Sequence, residues 1–215
     1  MVTLQIPADL TIVTLKDQNQ TYPQKYTPQY CKQLLTQASS ILETRAQIRF
    51  NLGTCTASTE ELQPGMRADA VDEAGFMFLT ALFRAGAGVR VLFVDKLSDP
   101  KLGGRSIEEK KMVILPYDSD AGGAALKLAH EFVHLLGIEP HIDKGPDRVA
   151  NDPGNEARYS AMRNNLMYSG GLSNEALLTP SQIATMRSSR LARQFGGKTI
   201  GDMFVPEILR NLRKM

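Results

Sequence analysis

All three histidines of this 215-residue chain fall within one window of twelve residues, from His130 to His141. His130 and His134 lie four residues apart, and Glu131 directly follows the first of them. On an α-helix, residues four apart project from the same face, so these two imidazoles can bind one ion. Glu131 lies about 100° around such a helix from His130, so its carboxylate can approach a water on that ion without becoming a ligand. The pattern is typical of metal-assisted hydrolysis.

In a site of this kind the metal lowers the pKa of a water molecule towards ~7, and the glutamate transfers the proton to the leaving amine. The motif also occurs by chance, and histidines held by hydrogen bonds in a core are the alternative interpretation. The flanking apolar residues are Leu126, Leu128, Ala129, Phe132, Val133, Leu135 and Leu136. They make the helix apolar nearly all round, as expected of a buried helix. Two histidines and a glutamate in such a helix need a polar reason to be there.

Short strands and helices alternate on the N-terminal side of this helix. Alternating apolar and β-branched residues predict strands at Thr3–Ile6, Leu10–Leu15, Ile48–Leu52, Val89–Val94 and Met112–Leu115. Helical periodicity predicts helices at Thr27–Ala46, Ala70–Ala85 and Gly123–Leu136. The segment Ser98–Lys111 is expected to be a loop. After Gly137 the chain is irregular until Thr179-Pro180-Ser181-Gln182, which has the form of a capping box and predicts a last helix.

The predicted fold class is therefore α/β, or α+β, with a mixed sheet, backing helices and an active-site helix over residues 123–136. Residues 1–137 are expected to form one subdomain. Residues 138–215 are expected to form a smaller, irregular subdomain with a terminal helix. Together the two would make a single catalytic domain.

At the histidine motif the sequence resembles the metzincin clan of zinc peptidases, whose pattern is H-E-x-x-H-x-x-G-x-x-H followed by a methionine turn. His130, Glu131, His134 and Gly137 match this pattern position by position. The resemblance implies that Gly137 ends the helix in a left-handed turn. It also implies a metzincin-like fold, with one catalytic zinc ion held by the two helix histidines and a third histidine.

His141 is the expected third zinc ligand, although it lies four residues after Gly137 and not three. Pro140 occupies the position of the clan's third histidine and cannot bind a metal. A one-residue bulge before His141 would bring its imidazole to the ion. Glu139 and Asp143 are the alternative ligands.

The segment Asn164–Tyr168 is similar to the turn that places a methionine beneath the zinc in this clan, which gives that role to Met167. Tyr168 directly follows, whereas relatives with a switchable tyrosine ligand have it two positions on. We therefore expect Tyr168 to line the pocket. By the same resemblance, substrate would lie antiparallel to an edge strand near Leu102–Ser106, and Tyr168–Leu178 would help form the pocket for the leaving-group side.

The implied activity is that of a zinc metalloendopeptidase acting on a protein or peptide, with Glu131 as general base and then acid. Two alternatives stay open. One is a narrow-specificity effector or toxin protease, and the other is a non-catalytic binding module that contains zinc. Calcium, through Asp118, Asp120, Asp152 or Asn155, has no diagnostic spacing in its favour, and these residues are expected to be solvated turn residues.

Composition limits the other partners. The net charge of +2 gives no reason to expect nucleic acid. From Ala184 to Met215, seven Lys or Arg face two Asp or Glu, so this basic tail could bind an inhibitor or docking partner. No signal peptide and no apolar run of roughly 18 residues is evident, so no membrane is expected and the compartment stays open. Cys31 and Cys55 are either bonded or free.

Overall fold

A five-stranded mixed sheet forms the centre of the computed structural model, which describes residues 3–17, 20–22, 24–138, 165–167 and 178–196. The strands are β1 (Leu4–Lys16), β2 (Ile48–Glu61), β3 (Val89–Val94), β4 (Arg105–Ile107) and β5 (Met112–Pro116). The helices are α1 (Pro28–Ala46), α2 (Glu73–Leu82), α3 (Ala121–Leu135), α4 (Pro180–Ser188) and α5 (Arg190–Phe195). The described part of the chain is thus a mixed α/β structure, in agreement with the predicted class.

The strand order is β2-β1-β3-β5-β4. Neighbours among the first four are parallel, and β4 pairs antiparallel with β5 at one edge. Residues of β4 and β5 that face each other point to the same side of the sheet. Ser106 faces Val113, whereas Arg105 and Ile107 face Ile114 and Met112.

Helices cover both faces of the sheet. On one face α1 and α3 pack against buried residues that include Val91, Val113 and Leu115. On the other face α2 packs through Phe76 and Leu79 against residues that include Leu92 and Ile114. Buried apolar residues on both sides explain why β3 and β5 are apolar along their length, with Arg90 as the one exception. The segment His130–His134 therefore lies on a helix packed against the first face.

Three strand predictions were wrong in extent. Thr3–Ile6 and Leu10–Leu15 are parts of one strand, β1, whose register against β2 shifts between Ala8 and Leu10. At this irregularity Asp9 accepts hydrogen bonds from the backbone N–H and hydroxyl of Thr54. The strand starting at Ile48 continues to Glu61, well past the predicted end at Leu52. Its extension is polar because it lies at the outer edge of the sheet, so it carries no hydrophobic signal.

The region around α2 and β4 also differs from expectation. Helix α2 is shorter than the predicted Ala70–Ala85, because Asp72 caps it by accepting a hydrogen bond from Gly75. The predicted loop Ser98–Lys111 contains β4, and this strand lies at the sheet edge expected near Leu102–Ser106. Because β4 has only three residues, its sequence is too short to show the alternation of apolar and polar residues that indicates a strand.

Other predicted elements are confirmed. Helix α1 starts after Thr27, which caps it, and ends at Ala46, while β3 has the predicted bounds. Helix α4 opens with the full capping box of Thr179 and Gln182. Cys31 and Cys55 are free thiols. Among the described helices, none combines the length and the apolar character needed to cross a bilayer.

We expect Phe132→Ala to lower the free energy of unfolding by about 3–5 kcal/mol. Phe132 is fully buried on α3, and its ring stacks on that of Phe50 with centroids 3.8 Å apart. The control is Met77→Ala on the exposed side of α2, where 61% exposure predicts a change within about 0.5 kcal/mol. Denaturant unfolding measures both. Equal losses would contradict the packing described here.

Candidate metal centre

The imidazoles of His130 and His134 converge on one point at the C-terminal end of α3. Their Nε2 atoms are 3.1 Å apart and the rings are nearly perpendicular, at 88°. The four-residue spacing on one helix face produces this approach. His130 is buried and His134 is half-buried, so both rings are held inside the fold.

Each ring is oriented by a backbone carbonyl behind it. His130 Nδ1 lies 2.7 Å from the Leu166 carbonyl oxygen, and His134 Nδ1 lies 2.7 Å from that of Ile138. A carbonyl can only accept, so each Nδ1–H must donate. In the neutral rings both Nε2 atoms then present lone pairs to each other. Lone pairs at this distance repel unless a cation or a proton lies between them.

This arrangement fits a zinc ion. Two nitrogens bound to one tetrahedral zinc at about 2.0–2.1 Å lie about 3.3 Å apart, close to the separation of the two Nε2 atoms. Metal-binding histidines almost always donate their other ring N–H to a carboxylate or carbonyl. The donor atoms present therefore suit zinc.

The turn after α3 supplies one of the two carbonyls. Gly137 adopts φ +88°, a left-handed conformation that side chains rarely tolerate. Its N–H donates to the carbonyl of His134, and the N–H of Ile138 donates to that of Val133. These are the two hydrogen bonds of a Schellman motif. The motif turns the chain back so that the Ile138 carbonyl meets the His134 ring.

The short segment 165–167 supplies the other carbonyl. Asn165 accepts a hydrogen bond from the backbone N–H of Met167, and its amide group also bonds to the Gln182 side chain on α4. Gln182 in turn caps α4 through the N–H of Thr179. Met167 is fully buried in the same core as α3. The start of α4 thus anchors the carbonyl of Leu166 against His130.

Glu131 is buried on α3, beside His130. Loss of water around the carboxylate raises its pKa from 4.5 to about 7, and a hydrogen bond from the Ser106 hydroxyl opposes this shift. A carboxyl with a pKa near neutrality can both accept and return a proton at physiological pH. Its role as general base stays a prediction.

Several predicted site residues lie outside the described residues. These are His141, its alternatives Glu139 and Asp143, the proline at 140, the pocket residue Tyr168 and most of Tyr168–Leu178. Within the described ranges, no group of three or more potential His, Cys, Asp or Glu ligands comes together. The described chain therefore provides two histidines, and the third ligand stays a prediction.

Two of the four candidate calcium ligands lie within the described residues and two lie outside them. Asp118 forms an ion pair with Lys127 at 2.6 Å, and this bond holds the pKa of Asp118 below its usual range. Asp120 caps α3 through the N–H of Gly122. Both thus have structural roles, while Asp152 and Asn155 lie outside the described residues, as does the basic tail beyond Gly196.

The sequence does not predict that the side chains of Asn165, Gln182 and Ser106 support the site. Asn165 lies in the predicted methionine turn, Gln182 in the predicted capping box, and Ser106 at the end of the segment expected to bind substrate. Nothing in the sequence indicates that the side chains of Asn165 and Gln182 meet. Ser106 carries no signal of its own, because its contact depends on the pairing of β4.

No family model and no curated protein matches the sequence. The solved structures similar to this chain include one titled as a chaperone–substrate complex, with 11% identity and a TM-score of 0.44. Another is metalloproteinase-II from Bacteroides fragilis, with 13% identity and a TM-score of 0.47. The first structure aligns with 90% of this chain, and this chain spans 35% of that protein's length. The metalloproteinase aligns with 86% of this chain, and this chain spans 52% of its length. At TM-scores below 0.5 these likenesses establish neither fold nor activity.

We expect Gly137→Ala to destabilise the protein by about 1 kcal/mol and to weaken zinc binding about 10- to 100-fold. The added side chain opposes φ +88° and so displaces the Ile138 carbonyl that orients His134. Gly65→Ala is a matched control because Gly65 has φ +90° and nothing within 4 Å of an added Cβ. It should cost similar stability and leave zinc affinity unchanged, as measured by competition with a chelating dye. Equal affinities in both variants would contradict the role of the turn.

The metal-free protein should lose stability as pH rises. Folded Glu131 keeps its proton up to about pH 7, whereas the unfolded chain releases it near 4.5. Between these values the folded state binds more protons, so raising the pH favours unfolding by on the order of 3 kcal/mol in total. Glu131→Gln should remove this dependence, and denaturant unfolding of chelator-treated protein at pH 4.5 to 8 tests it. Parallel pH profiles for the two proteins would contradict the assignment.

Proposed function

We propose that this chain is a zinc-dependent endopeptidase whose metal is bound by His130 and His134. The observation that carries the proposal is the convergence of the two Nε2 atoms to 3.1 Å while both Nδ1 atoms are tied to backbone carbonyls. Rings held in this way present preformed metal ligands. The motif's resemblance to the metzincin clan supports the same conclusion, with His141 as the third ligand and Met167 beneath the site.

Bound zinc would act as a Lewis acid, lowering the pKa of water and polarising the scissile carbonyl. Glu131 would take the proton from the attacking water and pass it to the leaving nitrogen. Both tasks fit a carboxyl whose pKa burial raises to about 7. No side-chain nucleophile is needed, so hydrolysis would proceed without a covalent enzyme intermediate.

Glu131 also distinguishes a catalytic site from a structural one. A structural zinc site has all positions filled by protein ligands and has no use for a base. A buried carboxylate without such a use costs stability, because burial disfavours its charged form. Its presence next to the two histidines therefore supports hydrolysis over a purely structural metal.

The position of β4 supports a peptide substrate. It is the last strand of the sheet, so within the described residues one side of its backbone has no strand partner. An extended peptide can add to such an edge by main-chain hydrogen bonds. Gly104, directly before this strand, lies against the Glu131 side chain, so a peptide bound there would lie close to the base.

Digestion of a diverse peptide library, read by mass spectrometry, tests the proposal. We expect the wild-type protein to cleave peptides with zinc bound and to stop when a chelator removes it. Glu131→Gln should keep its zinc and lose about 10²- to 10⁴-fold in kcat, because only the proton transfer is removed.

His134→Ala is the matched variant for the metal. It should lose both zinc and activity, while Glu131→Gln loses activity alone. Zinc content by atomic emission and melting temperature separate the two cases. Absence of cleavage by the zinc-loaded wild type across the library would contradict the proposal and favour a zinc-containing binding module.

A further inference from the structure

We infer that Ser106 is a positioning residue for Glu131, and that Gly104 provides the space which this contact requires. The inference rests on the proposed function, in which Glu131 moves the proton. Neither residue belongs to the zinc-binding motif. Both belong to the segment that leads into and forms β4.

Gly104 lies directly against the Glu131 side chain. A Cβ placed at Gly104 would come within 2.9 Å of Cγ and 3.1 Å of Oε1 of Glu131. Gly104 does not adopt a left-handed φ, so this close approach is the reason for glycine at this position. The backbone of the segment therefore forms a wall that limits where the carboxylate can go.

Ser106 approaches the same carboxylate from β4. Its partner in β5 is Val113, a residue of the face that α3 covers, so the Ser106 side chain points towards α3. Gly104 and Ser106 lie two residues apart on the same side of this segment, so the Ser106 hydroxyl is placed beside the Glu131 carboxylate, whose pKa it lowers as a donor. The backbone at Gly104 and the Ser106 hydroxyl together favour one orientation of the Glu131 side chain, which otherwise has several rotamers.

The opposite face of β4 is held by α2. The Arg105 guanidinium lies over the Phe76 ring, 3.7 Å from its centroid, and forms an ion pair with Glu73 at 2.6 Å. Alternation along the strand puts Arg105 on the α2 side and Ser106 on the α3 side. Contacts with α2 thus fix the strand that presents the hydroxyl to Glu131.

Gly103 is a matched neighbour for the experiment. A Cβ at Gly103 would meet only the flexible stem of Lys127, at 3.3 to 3.5 Å. The Lys127 stem can move aside without consequence for the site. Movement of the Glu131 side chain would displace its carboxylate from the position beside the histidines. Gly103→Ala and Gly104→Ala therefore add the same methyl group with different consequences for the base.

We expect Ser106→Ala to lower kcat about 10-fold in zinc-loaded protein while KM and zinc content stay close to wild type. Ser106→Thr, which keeps the hydroxyl, should restore most of the loss. Gly104→Ala should lower kcat at least as much, and Gly103→Ala should not. Wild-type kcat in Ser106→Ala, or no rescue by threonine, would overturn the inference.

A measurement that needs no activity separates this inference from the proposed function. If the hydroxyl bonds to Glu131, Ser106→Ala should shift the melting temperature in the wild-type background but not in Glu131→Leu, which offers no acceptor. Equal shifts in both backgrounds would overturn the inference. A coupled pair in a protein without turnover would reject the proposed function and leave the contact standing.

Discussion

Two hydrogen bonds from imidazole N–H groups to backbone carbonyls determine the geometry of the site. Without the Leu166 and Ile138 carbonyls, the rings of His130 and His134 could rotate and their Nε2 atoms would not converge. Each carbonyl depends on a different part of the chain. The first is anchored by the start of α4 through Asn165, and the second by the left-handed turn at Gly137. We therefore expect any metal binding by these rings to depend on the folding of two segments, around Ile138 and around Leu166.

The site places polar groups where the core would favour apolar ones. Helix α3 is buried against the sheet, and its residues Phe132 and Val133 belong to the main core. Glu131 shares this environment, which raises its pKa to about 7 and disfavours its charge. The apolar surroundings that stabilise the helix thus also bring the pKa of this carboxyl close to neutrality. Loss of some stability is an expected consequence of such an arrangement.

The helices and strands that the sequence predicts most accurately are those whose own residues show a clear pattern. Helix α3 is evident from its apolar run and its motif, and α4 from its capping box. Strand β3 is evident because burial on both faces makes all of its residues except Arg90 apolar. The polar extension of β2 and the three-residue strand β4 could not be predicted, because edge position and strand pairing are tertiary properties. For the same reason the contacts of Glu131 with Ser106 and Gly104 were not foreseen, whereas the histidine pair on one helix face was.

The most direct test of the account is X-ray diffraction from zinc-loaded crystals, with anomalous differences measured on both sides of the zinc absorption edge. We expect one strong zinc peak about 2.0–2.1 Å from the Nε2 atoms of both His130 and His134. The carbonyls of Leu166 and Ile138 should remain hydrogen-bonded to the Nδ1 atoms. A zinc peak elsewhere, or a peak that contacts only one of these two rings, would contradict it.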